Sequence, residues 1–376
     1  MIVKTAENKL QSFCIKKNLL PCKNNSIIYV LFFKEDLKME NPNLQKRTLG
    51  QFFTTTNPFD HDIFHTWFTL IPKEFQDPLL EPFAGANNIV KMLKKIGYDN
   101  SWHCYDIKPD NHNNATPEFQ IHKKDTLEDF PKGYHVAITN PPYLAKNSAS
   151  KTGMPFPDTN YDDLYKISLK AMLDNLEYVA AIIPESFITA ELFQNRIFAI
   201  ISLTCKMFED TECPVCLALF VPENSKKDLE LSQNDFYICH QETKIDKYEE
   251  LKNKIPTPSI NIPWKFNDKF GEIGIYLHDG RENNSIRFLK GEIIKPEKVK
   301  VSSRHVVRVS GLPEDINLDV FLELCNKKLS QFREDTHDIF FTSFRGLRKD
   351  GKYRRRLDFK NAKIIMNSVI EDIKKQ

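Results

Sequence analysis

From about Pro78 to Phe220 the chain alternates short apolar runs with stretches whose apolar residues recur at helical spacing. Leu79-Leu80-Glu81-Pro82-Phe83 reads as a strand running into a loop, and Ile89, Val90, Leu93 and Ile96 then fall on one face of a helix. Trp102 to Asp106 predicts the next strand, the stretch around Ile121 a third, and Val136-Ala137-Ile138-Thr139 a buried one. Leu164, Ile167, Leu169 and Met172 predict a helix, with Asn160 or Asp162 as its cap. Tyr178 to Ile183 predicts a strong strand ended by Pro184, and Leu217 to Val221 one more. Strands alternating with helices imply a mostly parallel sheet covered on both faces.

Beyond Pro222 the rhythm changes. Residues 223–260 are polar, and short strand candidates follow at Gly274-Ile275-Tyr276-Leu277 and Val306-Val307-Arg308-Val309. The expected organisation is an N-terminal extension over 1–38, an α/β unit over 39–221 and an α+β unit over 222–376. Met39, ahead of the polar stretch Glu40-Asn41-Pro42-Asn43, reads as an alternative start. The apolar run Ile27 to Phe33 is too short to span a bilayer, and no small-residue cleavage site follows it, so no membrane role is expected.

Composition changes this picture little. The 41% hydrophobic and 28% charged content is ordinary for a globular protein. A net charge of only +2 excludes a polycation, so affinity for nucleic acid has to come from a local patch. The eight cysteines are scattered rather than framed as disulfides, which points to a reducing cytoplasm. Cys213-Pro214-Val215-Cys216 has no second close cysteine pair to complete a tetrahedral site, so packing is expected there and no metal.

The chemistry concentrates at predicted strand ends. Two prolines cannot continue a central strand, so Asn140-Pro141-Pro142-Tyr143 ends the strand before it and sets Asn140 at its carboxyl edge. That edge is where open α/β sheets bind ligands. Glu81-Pro82-Phe83-Ala84-Gly85-Ala86-Asn87 joins a strand to a helix, and its glycine lets backbone approach a ligand. An ordinary turn is the equal alternative there. Asp106 closes the next strand, where an acidic side chain accepts from ribose hydroxyls, with a helix cap or surface carboxylate as the alternative.

Asn140-Pro141-Pro142-Tyr143 resembles the catalytic motif of amino-methyltransferases that use S-adenosylmethionine. Arg47 to Thr54, and Gly50-Gln51-Phe52-Phe53-Thr54 above all, is similar to the cofactor motif upstream of the glycine loop in DNA adenine-N6 methyltransferases. The order of motifs looks like the gamma class of type II restriction–modification methylases over residues 46–221, and the rest matches in position and size. The resemblance implies a Rossmann-like methyltransferase domain followed by a target-recognition domain. It implies that Thr54, Glu81 and the Phe83, Ala84 and Gly85 backbone hold the methionine end of the cofactor. Asp106 would bind its ribose, Ile107 pack on its adenine and Asp125 bond its amino group. The Asn140 side chain and the Pro141 carbonyl would accept the hydrogens of a flipped-out adenine N6, with Tyr143 stacking on the base and Phe208 a second stacking candidate, against a core phenylalanine before a strand. The loop departs from the family at Asn87, where a second glycine is common.

Arg345, Arg348, Lys349, Lys352, Arg354, Arg355 and Arg356 face only Asp350 and Asp358 nearby in sequence and are expected on DNA phosphates, against a solvated basic face. The Lys146 to Pro157 loop is expected to close over substrate or touch phosphate, against an exposed surface loop. The implied partner is double-stranded DNA, cut at the same site by a cognate endonuclease without stable contact, and the implied state a monomer. The wording around the motif is similar to enzymes that modify palindromes such as CATG. Two other readings stand beside this one. One is an RNA or protein (glutamine) amino-methyltransferase with the same strand end, and the other a DNA-binding module on a dead catalytic fold.

Overall fold

The computed structural model describes residues 57–109, 120–203, 207, 213–240, 244–282, 285–303 and 305–375. Thr54 and Phe208, with the whole of the upstream motif Arg47 to Thr54, lie outside them, as does the side chain of Arg345.

The first unit is built on a nine-stranded sheet in the order β3-β2-β1-β4-β5-β7-β6-β8-β9. Its strands are β1 Leu79–Glu81, β2 Trp102–Asp106, β3 Ile121–Lys123, β4 Val136–Thr139, β5 Tyr178–Pro184, β6 Ile197–Leu203, β7 Val215–Phe220, β8 Tyr237–His240 and β9 Lys244–Lys247. Strands β1 to β5 run parallel, and β7 lies antiparallel between β5 and β6. The expected mixed, mostly parallel α/β sheet is therefore present. β4 and β7 are buried along their whole length, as continuous apolar runs covered on both faces should be.

Helices cover the sheet, two of them, over 88–95 and 164–175, where the spacing predicted them. α1 (Asp62–Thr69) buries Ile63, Phe64, Trp67 and Phe68, and the Trp67 indole donates to the Phe220 carbonyl at 2.9 Å. α2 (Asn88–Lys95) buries Ile89, Val90 and Leu93. The short α3 (Lys146–Lys151) follows the Asn-Pro-Pro-Tyr motif, and α4 (Leu164–Asn175) buries Tyr165, Leu169 and Met172. The cap of α4 is Asp163 rather than Asn160 or Asp162. Arg196 fastens helix to sheet by donating to the carbonyls of Val221, Leu173, Leu176 and Glu177 at 2.6–2.9 Å.

The sheet runs on past residue 222. β8 pairs parallel to β6, β9 returns antiparallel, and α5 (Tyr248–Lys252) packs Leu251 into the same core. A second core then gathers around an antiparallel sheet ordered β10-β13-β11-β12, made of β10 Lys265–Phe266, β11 Ile273–Tyr276, β12 Arg287–Lys290 and β13 Val306–Ser310. α6 (Leu318–Asp335) and α7 (Phe359–Lys375) cover it, with Trp264 stacked on Phe321 and its indole bonded to Asn367 Oδ1 at 2.7 Å. A hairpin of β14 Thr342–Leu347 and β15 Tyr353–Arg356 stands between the two sheets. Among the described residues no helix is long and apolar enough to cross a membrane.

Candidate active site

The order β2-β1-β4 puts three predicted site segments side by side, and because these strands are parallel all three open at one carboxyl edge. The loop after β1 sits in the middle. Its first residue, Glu81, is 1% exposed and accepts from Phe83 N at 3.1 Å and from the Thr139 hydroxyl. Burial, against those two hydrogen bonds, pushes the Glu81 carboxyl up to about 8. Expected to touch the methionine end of a cofactor, Glu81 is enclosed, and its carboxyl group shapes the loop.

The turn is held from the neighbouring strand. Ala84 N donates to Tyr105 O at 2.8 Å and Gly85 N to Asp106 Oδ2 at 3.0 Å, while Lys108 N donates to Asp106 Oδ1 at 2.7 Å. Gly85 has φ +52° and Asn87 φ +55°. Asparagine is among the few side chains that enter the left-handed region at low cost, so the missing second glycine leaves the turn intact. Each Asp106 oxygen takes one backbone N–H here and retains lone-pair capacity for a second donor. Asp125 opens the turn after β3, accepting from Leu127 N at 3.0 Å, and its neighbour Thr126 donates to Pro82 O at 3.0 Å, which brings Asp125 beside the same loop.

Past β4, Asn140 and Tyr143 contact one another. The Tyr143 hydroxyl lies 2.6 Å from Asn140 Oδ1 and 2.5 Å from the Ile182 carbonyl of β5. Its ring is 8% exposed and meets Tyr165 edge-on at 6.2 Å. A ring expected to offer a face to a base is here packed against the core, and burial pushes its phenol well up. The chain after it is tied to the start of α4: Leu144 N donates to Asp163 Oδ1 and Leu164 N to Leu144 O, both at 3.0 Å. The segment 146–151, expected as a loop over substrate, is helical, with Ala149 buried and Lys146 against the Phe156 ring.

The basic run does not form one solvated face. Arg355 is 9% exposed and forks onto Glu185, just beyond β5, at 2.9 and 3.1 Å. Burial raises the Glu185 carboxyl, but the Arg355 charge and hydrogen bonds from Ser202, Arg355 and Ser343 outweigh it, so the group sits below the usual glutamate range. Arg354 Nε donates to Asp279 O at 2.8 Å, and its guanidinium covers the Phe344 ring at 4.5 Å. Arg348 pairs with Asp279 and Asp350, and Lys349 with Glu282. Asp279 itself is fully buried and forked by Arg333 at 3.0 Å. Arg355, expected on DNA phosphates, is thus engaged inside the protein, on an acid 170 residues away in sequence. Lys352 is exposed, and Arg356 half-buried at a bridge to His278. Arg308 is a backbone staple, donating to Gly271 O at 2.8 Å and Ile294 O at 3.3 Å.

No protein-family model matches the chain, and no curated protein matches it either. Similar solved structures exist at low identity. One is the methyltransferase subunit of a type I restriction–modification system from Streptococcus thermophilus, at 16% identity over 46% of this chain and 44% of that one, with a TM-score of 0.31. Others are the type IIG restriction endonuclease BpuSI, at 15% identity, 56% and 33% coverage and a TM-score of 0.37, and a DrdV–DNA complex, at 15% identity, 53% and 28% coverage and a TM-score of 0.37. The chain spans less than half the length of each of these three.

Proposed function

We propose that the protein is a site-specific DNA adenine-N6 methyltransferase that uses S-adenosylmethionine and modifies DNA within a restriction–modification system, acting as a cytoplasmic monomer. The observation that carries this reading is the Asn140 amide with its prolines at the tip of β4, one strand from the Gly85 turn and two from Asp106. The residues fit the cofactor. The left-handed Gly85 turn presents backbone, and Asp106 has acceptor capacity for ribose hydroxyls. Asp125, beside the same loop through Thr126, and Ile107, which follows Asp106 at the end of β2, are assigned to the cofactor's adenine. When bound, the cofactor supplies a methyl group already activated for displacement.

The protein's part is alignment and charge. An adenine amino nitrogen is a poor nucleophile because its lone pair is delocalised into the ring. Asn140 Oδ1 and the Pro141 carbonyl each accept one of its hydrogens, which favours a pyramidal nitrogen and offsets the positive charge that develops. The base has to leave the duplex to reach a strand tip, at a cost of a few kcal/mol. We place the division between units near residue 253, after α5, and assign target recognition to the second unit. One observation favours a second reading, an RNA or protein amino-methyltransferase: Arg348, Arg354 and Arg355, expected on DNA phosphates, are engaged within the protein. Incubating the full chain with labelled S-adenosylmethionine and duplex DNA, RNA or a protein extract decides between them. N6-methyladenine in digested DNA is the expected product; label recovered only in RNA or protein rejects the DNA reading.

A further inference from the structure

The second unit's sheet has two unlike faces. On β13, Val307 and Val309 turn into the core under α6 and α7, and Arg308 between them turns to the opposite face. There the Arg308 guanidinium joins two loops, the one ending at Gly271 and the one carrying Ile294. Gly291 N donates to Glu272 O at 2.7 Å, and Asn267 donates to Val301 O at 2.9 Å, so segments 267–272 and 291–301 form one surface. On this surface lie three of the large apolar side chains most open to solvent, Phe270 at 80%, Ile293 at 61% and Val301 at 93%. Lys295, Lys298 and Lys300 stand among them, all exposed, and take no part in the ion pairs among the described residues. Over both segments Lys269, Lys295, Lys298 and Lys300 face Asp268, Glu272, Glu292 and Glu297, but Asp268 and Glu272 are half-buried, so the fully exposed charges of the strip are cationic on balance.

The strip leads toward the candidate active site. Past its end, His305 meets the His278 ring at 4.8 Å; His278 meets Phe344 of β14, and the adjacent Ser343 bonds Glu185 just beyond β5. β5 is the neighbour of β4, which carries Asn140.

We propose that this strip, and not the arginine hairpin, is the surface on which the second unit holds duplex DNA, with Lys295, Lys298 and Lys300 on phosphates and Phe270 and Val301 against a groove. It rests on the reading of the protein as a DNA methyltransferase and names where the duplex lies. The charge matches: exposed lysines release counterions when they meet phosphate. So does the shape, since exposed apolar side chains flanked by cations are how proteins lie against a groove and its base steps. A protein substrate would meet no such run of cations unless it were acidic.

The test is the salt dependence of binding to a random-sequence duplex, read by fluorescence anisotropy with the full chain. Lys295→Ala/Lys298→Ala/Lys300→Ala should lower the slope of log K against log salt by about 2.7, at about 0.9 for each phosphate no longer neutralised. Phe270→Ala should weaken binding with the slope unchanged. Thermal midpoint and S-adenosylmethionine binding should stay at their parent values in both, because the replaced groups are exposed. If the parent protein methylates DNA and the triple variant keeps its slope, the strip is wrong and the functional reading survives. If the parent protein neither binds nor methylates duplex DNA, both fall together.

Discussion

The strand tips of the first sheet and the arginine hairpin of the second unit are both dense in polar groups, yet they use them in opposite ways. At the tips, Asp106 and Asn140 turn functional groups toward the sheet edge, and the bonds that position them come from the neighbouring strand or the next turn. In the hairpin, Arg354 and Arg355 turn inward, onto partners 75 and 170 residues away. The strand-tip groups are held by bonds from the next loop or turn, whereas those in the joint between units are consumed by partners far away in sequence. The comparison can be broken most forcefully at the joint. Arg355→Ala leaves Glu185 buried and unpaired, which should cost about 3–5 kcal/mol of stability, read as a fall in the thermal midpoint. The double variant Glu185→Leu/Arg355→Met should recover most of it. If Arg355→Ala is as stable as its parent while losing DNA affinity, the hairpin is a binding surface after all.

At the tips the same operation should spare the fold and remove the chemistry. Asn140→Ala should cut turnover roughly 10²- to 10³-fold, with cofactor affinity unchanged by calorimetry. Normal turnover would end the assignment of Asn140.

The contrast also explains what was legible beforehand. Strand ends could be read because prolines and glycines act locally: Pro141 and Pro142 stop β4 whatever surrounds them, and Gly85 supplies its own left-handed turn. The strand-helix alternation was readable for the same reason, down to the buried face of α2. The fate of Arg355 was not, because counting Asp350 and Asp358 nearby says nothing of Glu185 or Asp279. The attachment of β8 and β9 to the first sheet was hidden likewise. Pairing with β6 is a long-range contact, and the polar composition of 223–260 resembles a linker. The enclosure of Glu81 was hidden too, since it depends on Thr139 across the sheet.

That enclosure gives a pH test of intermediate size. Glu81 is ordinary at 4.5 and raised by burial to about 8 in the fold. Between those values the folded protein holds a proton that the unfolded chain has released. The contribution is therefore fully present below the unfolded value and is lost as pH rises through the folded one, at no more than about 1.4 kcal/mol per pH unit. Thermal midpoints measured from pH 5 to 8.5 should fall faster in the parent than in Glu81→Gln. Parallel profiles would show that Glu81 is ionised throughout.

The smallest expected effect bears on the residue that belongs to both patterns. Tyr143 sits in the Asn-Pro-Pro-Tyr motif, but its hydroxyl is spent inward, between Asn140 Oδ1 and the Ile182 carbonyl. One hydroxyl proton serves one acceptor at a time, so the phenol holds the amide by its nearness to both groups. If its role is to fix where Asn140 Oδ1 points, Tyr143→Phe keeps the ring and loses the tether. Turnover should then fall by about one hydrogen bond's net worth, about 1 kcal/mol or roughly five-fold, with the Michaelis constant for DNA unchanged. If the ring's role is to stack on an extruded base, Tyr143→Phe should be silent and Tyr143→Leu should raise that constant. A silent phenylalanine with a damaging leucine would move Tyr143 out of the positioning role and require the ring to turn outward when substrate arrives.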